Sequence, residues 1–314
     1  MDCVVVGEIC VDIPLGVVDR RLPLKDIEYL PINPVAASAG GIIPNCGTVM
    51  ARYGLDVAAI GCIGDDFWGR FLTNQCRLGG IDTAALFPDP KLATSAAAIL
   101  VGNDGEHTFF YHSGASRALD KSLLFQYRDI FSESAYALIG YYALMPELEP
   151  DLPEVLQAIQ QQGCKTAMDS AGGGGSFKPL DGCLPYLDIY IPSYSEGLAQ
   201  TGKQDPREMI STYREYCPHG LLGVKLGSQG ALLSREAGHW LEVSAFDPPG
   251  PVVDTTGAGD SFYAGLITGF CRGLGLENAA RLASASGACC VTEVGPTAGV
   301  RNYQQTLNLA GVKG

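Results

Sequence analysis

The sequence predicts an α/β fold: a doubly wound, mostly parallel sheet with helices on both faces and a small β-sheet lid. Three observations carry this. Short apolar, β-branched runs alternate with segments of helical spacing, glycine turns fall where strands hand over to helices, and two segments break the rhythm. In order, Cys3–Val6 reads as a strand, Asn45–Tyr53 as a short helix and Val57–Ile63 as a strand. Phe67–Leu78 has helical spacing before the stop at Gly79-Gly80. Ala135–Tyr141 is strand-like, Leu152, Val155, Leu156 and Ile159 form one helix face, and Lys165–Met168 is again a strand. The breaks are 13–37, punctuated by prolines, and 94–112, an alternating stretch with Asn103-Asp104-Gly105 placed as a hairpin turn. Together they read as the lid of a single domain spanning 1–314, with no linker and no internal repeat.

At 314 residues and 46% hydrophobic content the chain has enough apolar material for one or two packed domains. A formal net charge of −13 and a pI near 4.7 argue against binding nucleic acid or an anionic membrane, which attract clustered Lys and Arg. An anionic ligand must then be held by backbone amides and a few placed cations. The start, MDCVVVGEICVDIP, carries acids where a secretory signal needs basic residues, and no run reaches the roughly 20 apolar residues of a membrane span. These features predict a cytoplasmic protein. Eleven cysteines, without a C-x-x-C pair and mostly inside apolar runs, read as reduced core residues. His107, His112, His219 and His239 have no metal-ligand spacing, so a metal site built by protein alone is not expected.

The most informative stretch is Asp254-Thr-Thr-Gly-Ala-Gly-Asp-Ser-Phe262. It runs from a short apolar strand, Val252-Val253, through glycines into an apolar helix. Backbone N–H groups at such a helix start, with the positive end of the dipole behind them, form an anion pocket. Gly257 and Gly259 let that backbone approach a ligand. Asp260 reads either as an ordinary helix-start acid or as a proton acceptor beside the pocket. An acid that takes a proton while amides hold negative charge is the arrangement for phosphoryl transfer to an alcohol. Farther upstream, Gly40-Gly41 and Asn45 read equally well as a glycine turn with a polar residue in a first helical turn. Asp12 alone reads as an acid solvating a strand end.

The stretch 254–262, together with Ala39-Gly-Gly-Ile-Ile-Pro-Asn45, resembles the two signature regions of the ribokinase-like (PfkB) carbohydrate kinases. The likeness runs nearly end to end, through VVVGEICVD, IGCIGDDFWGRFL, VKLGSQGALL and GACCVTEVGP. A Walker A loop and a G-x-G-x-x-G after the first strand are both absent. The resemblance implies ATP-dependent transfer to a hydroxymethyl group of a sugar or sugar-like alcohol. It casts Asp260 as general base and Gly257, Ala258 and Gly259 as anion hole. Asp12, Gly41 and Asn45 would bind substrate hydroxyls, with Lys225, Gly227 and Gly230 beside the nucleotide and Ala283–Gly287 bordering the adenine. Glu196 would serve magnesium and phosphate. Asp254, Thr256, Cys290, Glu293 and Gly295 match the loop that holds a monovalent cation, K+, in many members.

Departures from the pattern narrow it further. Ser193 stands where many members have the Asn of N-x-x-E, Ile42 where ribokinases proper have Lys, and no arginine follows Asp169 as in hexonate-type members. Phe109, Phe110, Tyr111, Tyr141 and Tyr142 form an aromatic set that either faces a ring or merely packs. The expectation is a carbohydrate kinase using ATP and Mg2+, a homodimer joined through lid edges, acting on a sugar. The alternatives are a nucleoside kinase and a catalytically silent sugar- or nucleotide-binding regulator on the same fold.

Overall fold

The computed structural model describes all residues except 20, 22, 24, 26, 27, 30–35, 103–106, 172–175 and 314. The expected hairpin turn at 103–105 and most of 20–35 therefore lie outside the described residues. From the N-terminus the elements are β1 (Cys3–Gly7), β2 (Cys10–Val18), β3 (Ser38–Gly40), α1 (Ile42–Arg52), β4 (Val57–Gly64), α2 (Phe67–Leu78), β5 (Ile81–Asp89), β6 (Ala96–Gly102) and β7 (His107–His112). There follow α3 (Lys121–Gln126), α4 (Arg128–Ser132), β8 (Tyr136–Gly140), α5 (Leu152–Gln161), β9 (Lys165–Asp169), α6 (Phe177–Cys183), β10 (Ile189–Tyr190), α7 (Tyr194–Thr201) and α8 (Pro206–Arg214). The chain closes with β11 (Leu221–Lys225), β12 (Ala231–Ser234), β13 (Leu241–Val243), α9 (Ala258–Cys271), α10 (Leu276–Cys290) and α11 (Tyr303–Ala310).

Nine strands form one sheet in the order β13-β12-β11-β10-β9-β8-β1-β4-β5. From β11 to β5 every pair is parallel, and only the β11–β12 and β12–β13 pairs are antiparallel. A strand side chain alternates faces, and β1 displays the consequence. Cys3 and Val5 enter a core shared with α1, α9 and α10, whereas Val4 and Val6 enter another shared with α5 and α8. All four are fully buried, and each such valine contributes about 1.5–3 kcal/mol. The predicted fold class is thus confirmed. A second sheet, in the order β3-β2-β6-β7, stands apart from the first.

Three boundaries differ from expectation. Helix α1 begins at Ile42, three residues early, because Gly41 takes φ 91°, open to glycine, and Pro44 suits a first turn. Asn45 therefore lies inside the helix. Asp12 does not solvate the end of β1: it pairs within β2, which starts at Cys10. No strand precedes α9. Val252 and Val253 are irregular and exposed, tied to the body by Val253 N–H donating to Val291 O at 2.8 Å, a bond to the end of α10 and not to a strand. All eleven cysteines are free thiols, ten of them buried. No described helix is long and apolar enough to cross a membrane.

Candidate active site

Parallel strands deliver their C-terminal ends to one edge, and four of them carry polar groups there. Glu8 follows β1, Tyr141 follows β8, Asp169 ends β9 and Lys225 ends β11. The first turn of α9 brings Asp260 to the same edge. Its carboxylate is 5% exposed; Oδ2 accepts Asn45 Nδ2–H at 2.8 Å, and the Tyr141 hydroxyl donates to Oδ2 at 2.8 Å and Oδ1 at 3.0 Å. Burial raises the Asp260 pKa, while these hydrogen bonds and the Lys225 ammonium pull it back. Asn45 Oδ1 is buried with no hydrogen-bond partner. A buried carbonyl left so is an acceptor waiting for a donor.

Lys225 is no ordinary exposed strand lysine. Its Nζ donates to both oxygens of Asp169 at 3.2 Å and lies 4.8 Å from the centre of the Tyr263 ring. Burial raises Asp169, and the Lys225 charge opposes it. The same ammonium sits where a Cβ at Gly259 would approach within 3.2 Å, so the cation lies against the first turn of α9. At that turn Gly257 takes φ 78°, and a Cβ there would fall 2.4 Å from Pro296 O. Only glycine fits. The amides of 257–259 sit at the helix N-terminus; Ala258 N–H already makes a 3.3 Å turn bond to Thr255 O, so this member of the expected hole is partly engaged.

Two cavities meet at these residues. One, of about 530 Å³, is lined by Gly227, Gly230, Phe246, Ser284 and Gly287. The other, of about 340 Å³, is lined by Tyr141, Asp169, Ser193, Glu196 and Asp260. Lys225, Gly227 and Gly259 belong to both.

A family model for the pfkB family of carbohydrate kinases matches residues 2–302. The chain belongs to that family. It is a carbohydrate kinase, and its relatives divide by acceptor. The Haemophilus influenzae ribokinase is 28% identical over 275 residues, covering 85% of this chain and 86% of its own. The aminoimidazole riboside kinase of Salmonella typhimurium is 28% identical over 307 residues, covering 93% and 89%. Among solved structures, Arabidopsis thaliana ribokinase complexed with ribose and ATP superposes with a TM-score of 0.85 at 24% identity, over 99% of both chains. An Escherichia coli putative ribokinase II in complex with ATP and Mg2+ gives 0.83 at 22%, again over 99% of both.

In this kinase the second sheet adds Asp12 to the edge, beside Glu8. Asp12, on β2, is pushed up to about 6 by burial, with the Asp260 charge adding. Glu8, which sequence reasoning passed over, is 1% exposed, accepts the Tyr111 hydroxyl at 3.0 Å and is pushed up to about 8 by burial. The two adjacent glycines face these acids. A Cβ at Gly40 would lie 2.0 Å from Asp12 Oδ2, and one at Gly41 2.1 Å from Glu8 Oε2. The bare side of Gly41 is thus filled by the protein's own carboxyl. The signal for Glu8 was present: an acid inside the otherwise apolar stretch VVVGEICV is costly unless it is paired or used. The aromatic set divides, with Tyr111 and Tyr141 on carboxyls, Tyr142 buried, and Phe109 and Phe110 largely exposed.

Glu196 closes a capping box on α7: its Oε2 accepts Ser193 N–H at 2.6 Å and Ser193 Oγ–H at 2.8 Å. Serine in place of Asn therefore holds the acid in place. Among the described residues no cluster of three or more His, Cys, Asp or Glu is arranged to hold a metal alone. The five residues of the expected K+ loop gather in two segments tied by Asp254, whose oxygens accept Thr256 N–H and Gly295 N–H, each at 2.9 Å. The Cys290 thiol donates to Thr256 O at 3.3 Å, and the Glu293 side chain is exposed.

Proposed function

We propose that this PfkB-family kinase moves the γ-phosphoryl group of ATP to a hydroxymethyl group of an uncharged sugar or nucleoside. The observation that carries this is the buried Asp260 carboxylate at the start of α9, where the two cavities meet. The larger cavity takes the nucleotide, as the ATP-bound structural neighbours support. The acceptor hydroxyl gives its proton to Asp260 as its oxygen attacks the γ-phosphorus. The bond to the β-phosphate breaks and ADP leaves. Lys225 and the α9 amides at 257–259 stabilise charge developing on the transferred group. Mg2+, when bound, neutralises phosphate charge, and Glu196 is the side chain we assign to hold it. The 254–256 and 290–296 segments form the candidate K+ loop.

Acceptor class follows from charge. Around Asp260 stand Glu8, Asp12, Asn45, Tyr111 and Tyr141: acids, an amide and phenols. A carboxylate on the acceptor would face Asp260 and Asp12 with like charge, whereas hydroxyls can donate to Asp12 and to the orphaned Asn45 Oδ1. A coupled assay of ADP release over ribose, fructose, adenosine and gluconate tests the proposal. Turnover with at least one of the first three and none with gluconate is expected. Failure with all three, or preference for gluconate, would overturn it. Asp12→Ala and Asn45→Ala are expected to weaken acceptor binding by roughly 1–3 kcal/mol with ATP affinity nearly unchanged by calorimetry. Lost ATP binding with intact acceptor binding would reverse the assignment.

The second sheet is proposed as a lid that keeps water from the phosphoryl group. On β7, an edge strand, Phe109 and Phe110 project to opposite faces and are 56% and 49% exposed, so the edge is apolar on both sides and suits pairing with a second copy. Light scattering is expected to return a dimer mass. A monodisperse monomer would remove the dimer and leave the kinase reading intact.

A further inference from the structure

Tyr141 is the sole non-glycine residue with positive φ among the described residues, at φ 61° and ψ 39°. A tyrosine is uncommon in this conformation, which persists only where its surroundings enforce it. Here they do. Strand β8 ends at Gly140, where a Cβ would meet Ile42 at 2.1 Å, and Tyr141 N–H is held by Asp169 O at 3.0 Å. The left-handed turn swings the phenol off the path of β8 and onto Asp260, where the hydroxyl meets both carboxylate oxygens. Burial raises the Tyr141 pKa far above its ordinary value, so the phenol stays protonated and donates to the carboxylate.

Resting on the reading of Asp260 as general base, we propose that Tyr141 is its positioning residue. The hydroxyl fixes the rotation of the carboxylate and favours its ionised form. That help is needed, because the acids facing Asp260 oppose ionisation: Glu196 from α7, Asp169 from β9, Glu8 after β1 and Asp12 from β2. Lys225, from β11, is the facing cation, and it is shared with Asp169. Asn45 donates to Oδ2 alone, so it does not hold the plane of the carboxylate by itself. The Tyr141 hydroxyl spans both oxygens.

The test uses the full chain labelled with carbon-13 at aspartate side chains. The Asp260 resonance is the one missing from Asp260→Asn. In Tyr141→Phe its titration midpoint is expected to rise by about one pH unit or more, the scale set by a hydrogen bond to a charged group. With ribose, fructose or adenosine as acceptor, the acid limb of the kcat/KM profile moves up by the same amount while the KM for ATP is unchanged. Tyr141→Leu, which also removes the hydroxyl, gives the same shift and serves if the first variant does not fold. A midpoint equal to that of the unsubstituted protein overturns the inference. Near-normal turnover in Asp260→Asn overturns the base assignment instead, and the resonance reports separately on whether Tyr141 keeps that carboxyl ionised.

Discussion

Asp260→Asn is expected to lower turnover by roughly 10²–10⁴ while preserving the fold and ATP binding. The substitution is nearly isosteric and removes a charge from a site that is 5% exposed, so nothing in the core has to move. What it removes is the capacity to take a proton. An amide also turns an N–H toward Asn45 or Tyr141, both of which donate to this side chain, and one of those bonds at 2.8 Å must loosen. Calorimetry with ATP and a thermal melt separate this from general damage. A variant with near-normal turnover, stable and binding ATP, would mean that another group takes the proton.

Lys225→Met should cost about 3–5 kcal/mol of stability at pH values above about 8, where Asp169 is ionised, because it leaves that carboxylate buried without its partner. The two side chains are 13% and 3% exposed, so water can replace little of the lost interaction. Urea unfolding gives the magnitude. The deficit should shrink as pH falls, since Asp169, its proton affinity already raised by burial, sheds the uncompensated charge by taking a proton. The double variant Lys225→Met with Asp169→Asn should recover much of the loss. If the single variant is as stable as the unsubstituted chain, the pair is not the strut that its two 3.2 Å contacts describe.

Much of the architecture could be read from local pattern. Strands β1 and β4 and helices α2 and α5 fall within a residue or two of their predicted spans, because burial on both faces of a parallel sheet leaves a continuous apolar run and a half-buried helix leaves a periodic one. The start of α1 and the absence of a strand before α9 could not be read that way. One depended on Gly41 adopting φ 91°, the other on Val253 bonding to Val291 at the end of α10, far away in sequence. Ser193-Tyr-Ser-Glu196 carried its own local explanation as a capping box, and comparison with N-x-x-E obscured it.

The candidate site divides along the same line. Asp260, beside two glycines at a helix start, was visible because its neighbours in sequence give it chemical sense, whereas Asp12 and Asn45 drew their roles from the family resemblance alone. The sequence alone determined the α/β class, the family resemblance and the phosphoryl-transfer chemistry, all of which reside in short contiguous motifs. Only the tertiary structure decided which groups touch. Asn45 and Asp260 lie 215 residues apart, Tyr141 and Asp260 119 apart, and Lys225 and Asp169 56 apart. Such contacts arise because parallel strands, each returned by a crossover, bring their carboxyl ends to one edge. Side-chain direction at that edge is set by packing and by left-handed residues such as Tyr141 and Gly257. No periodicity records it.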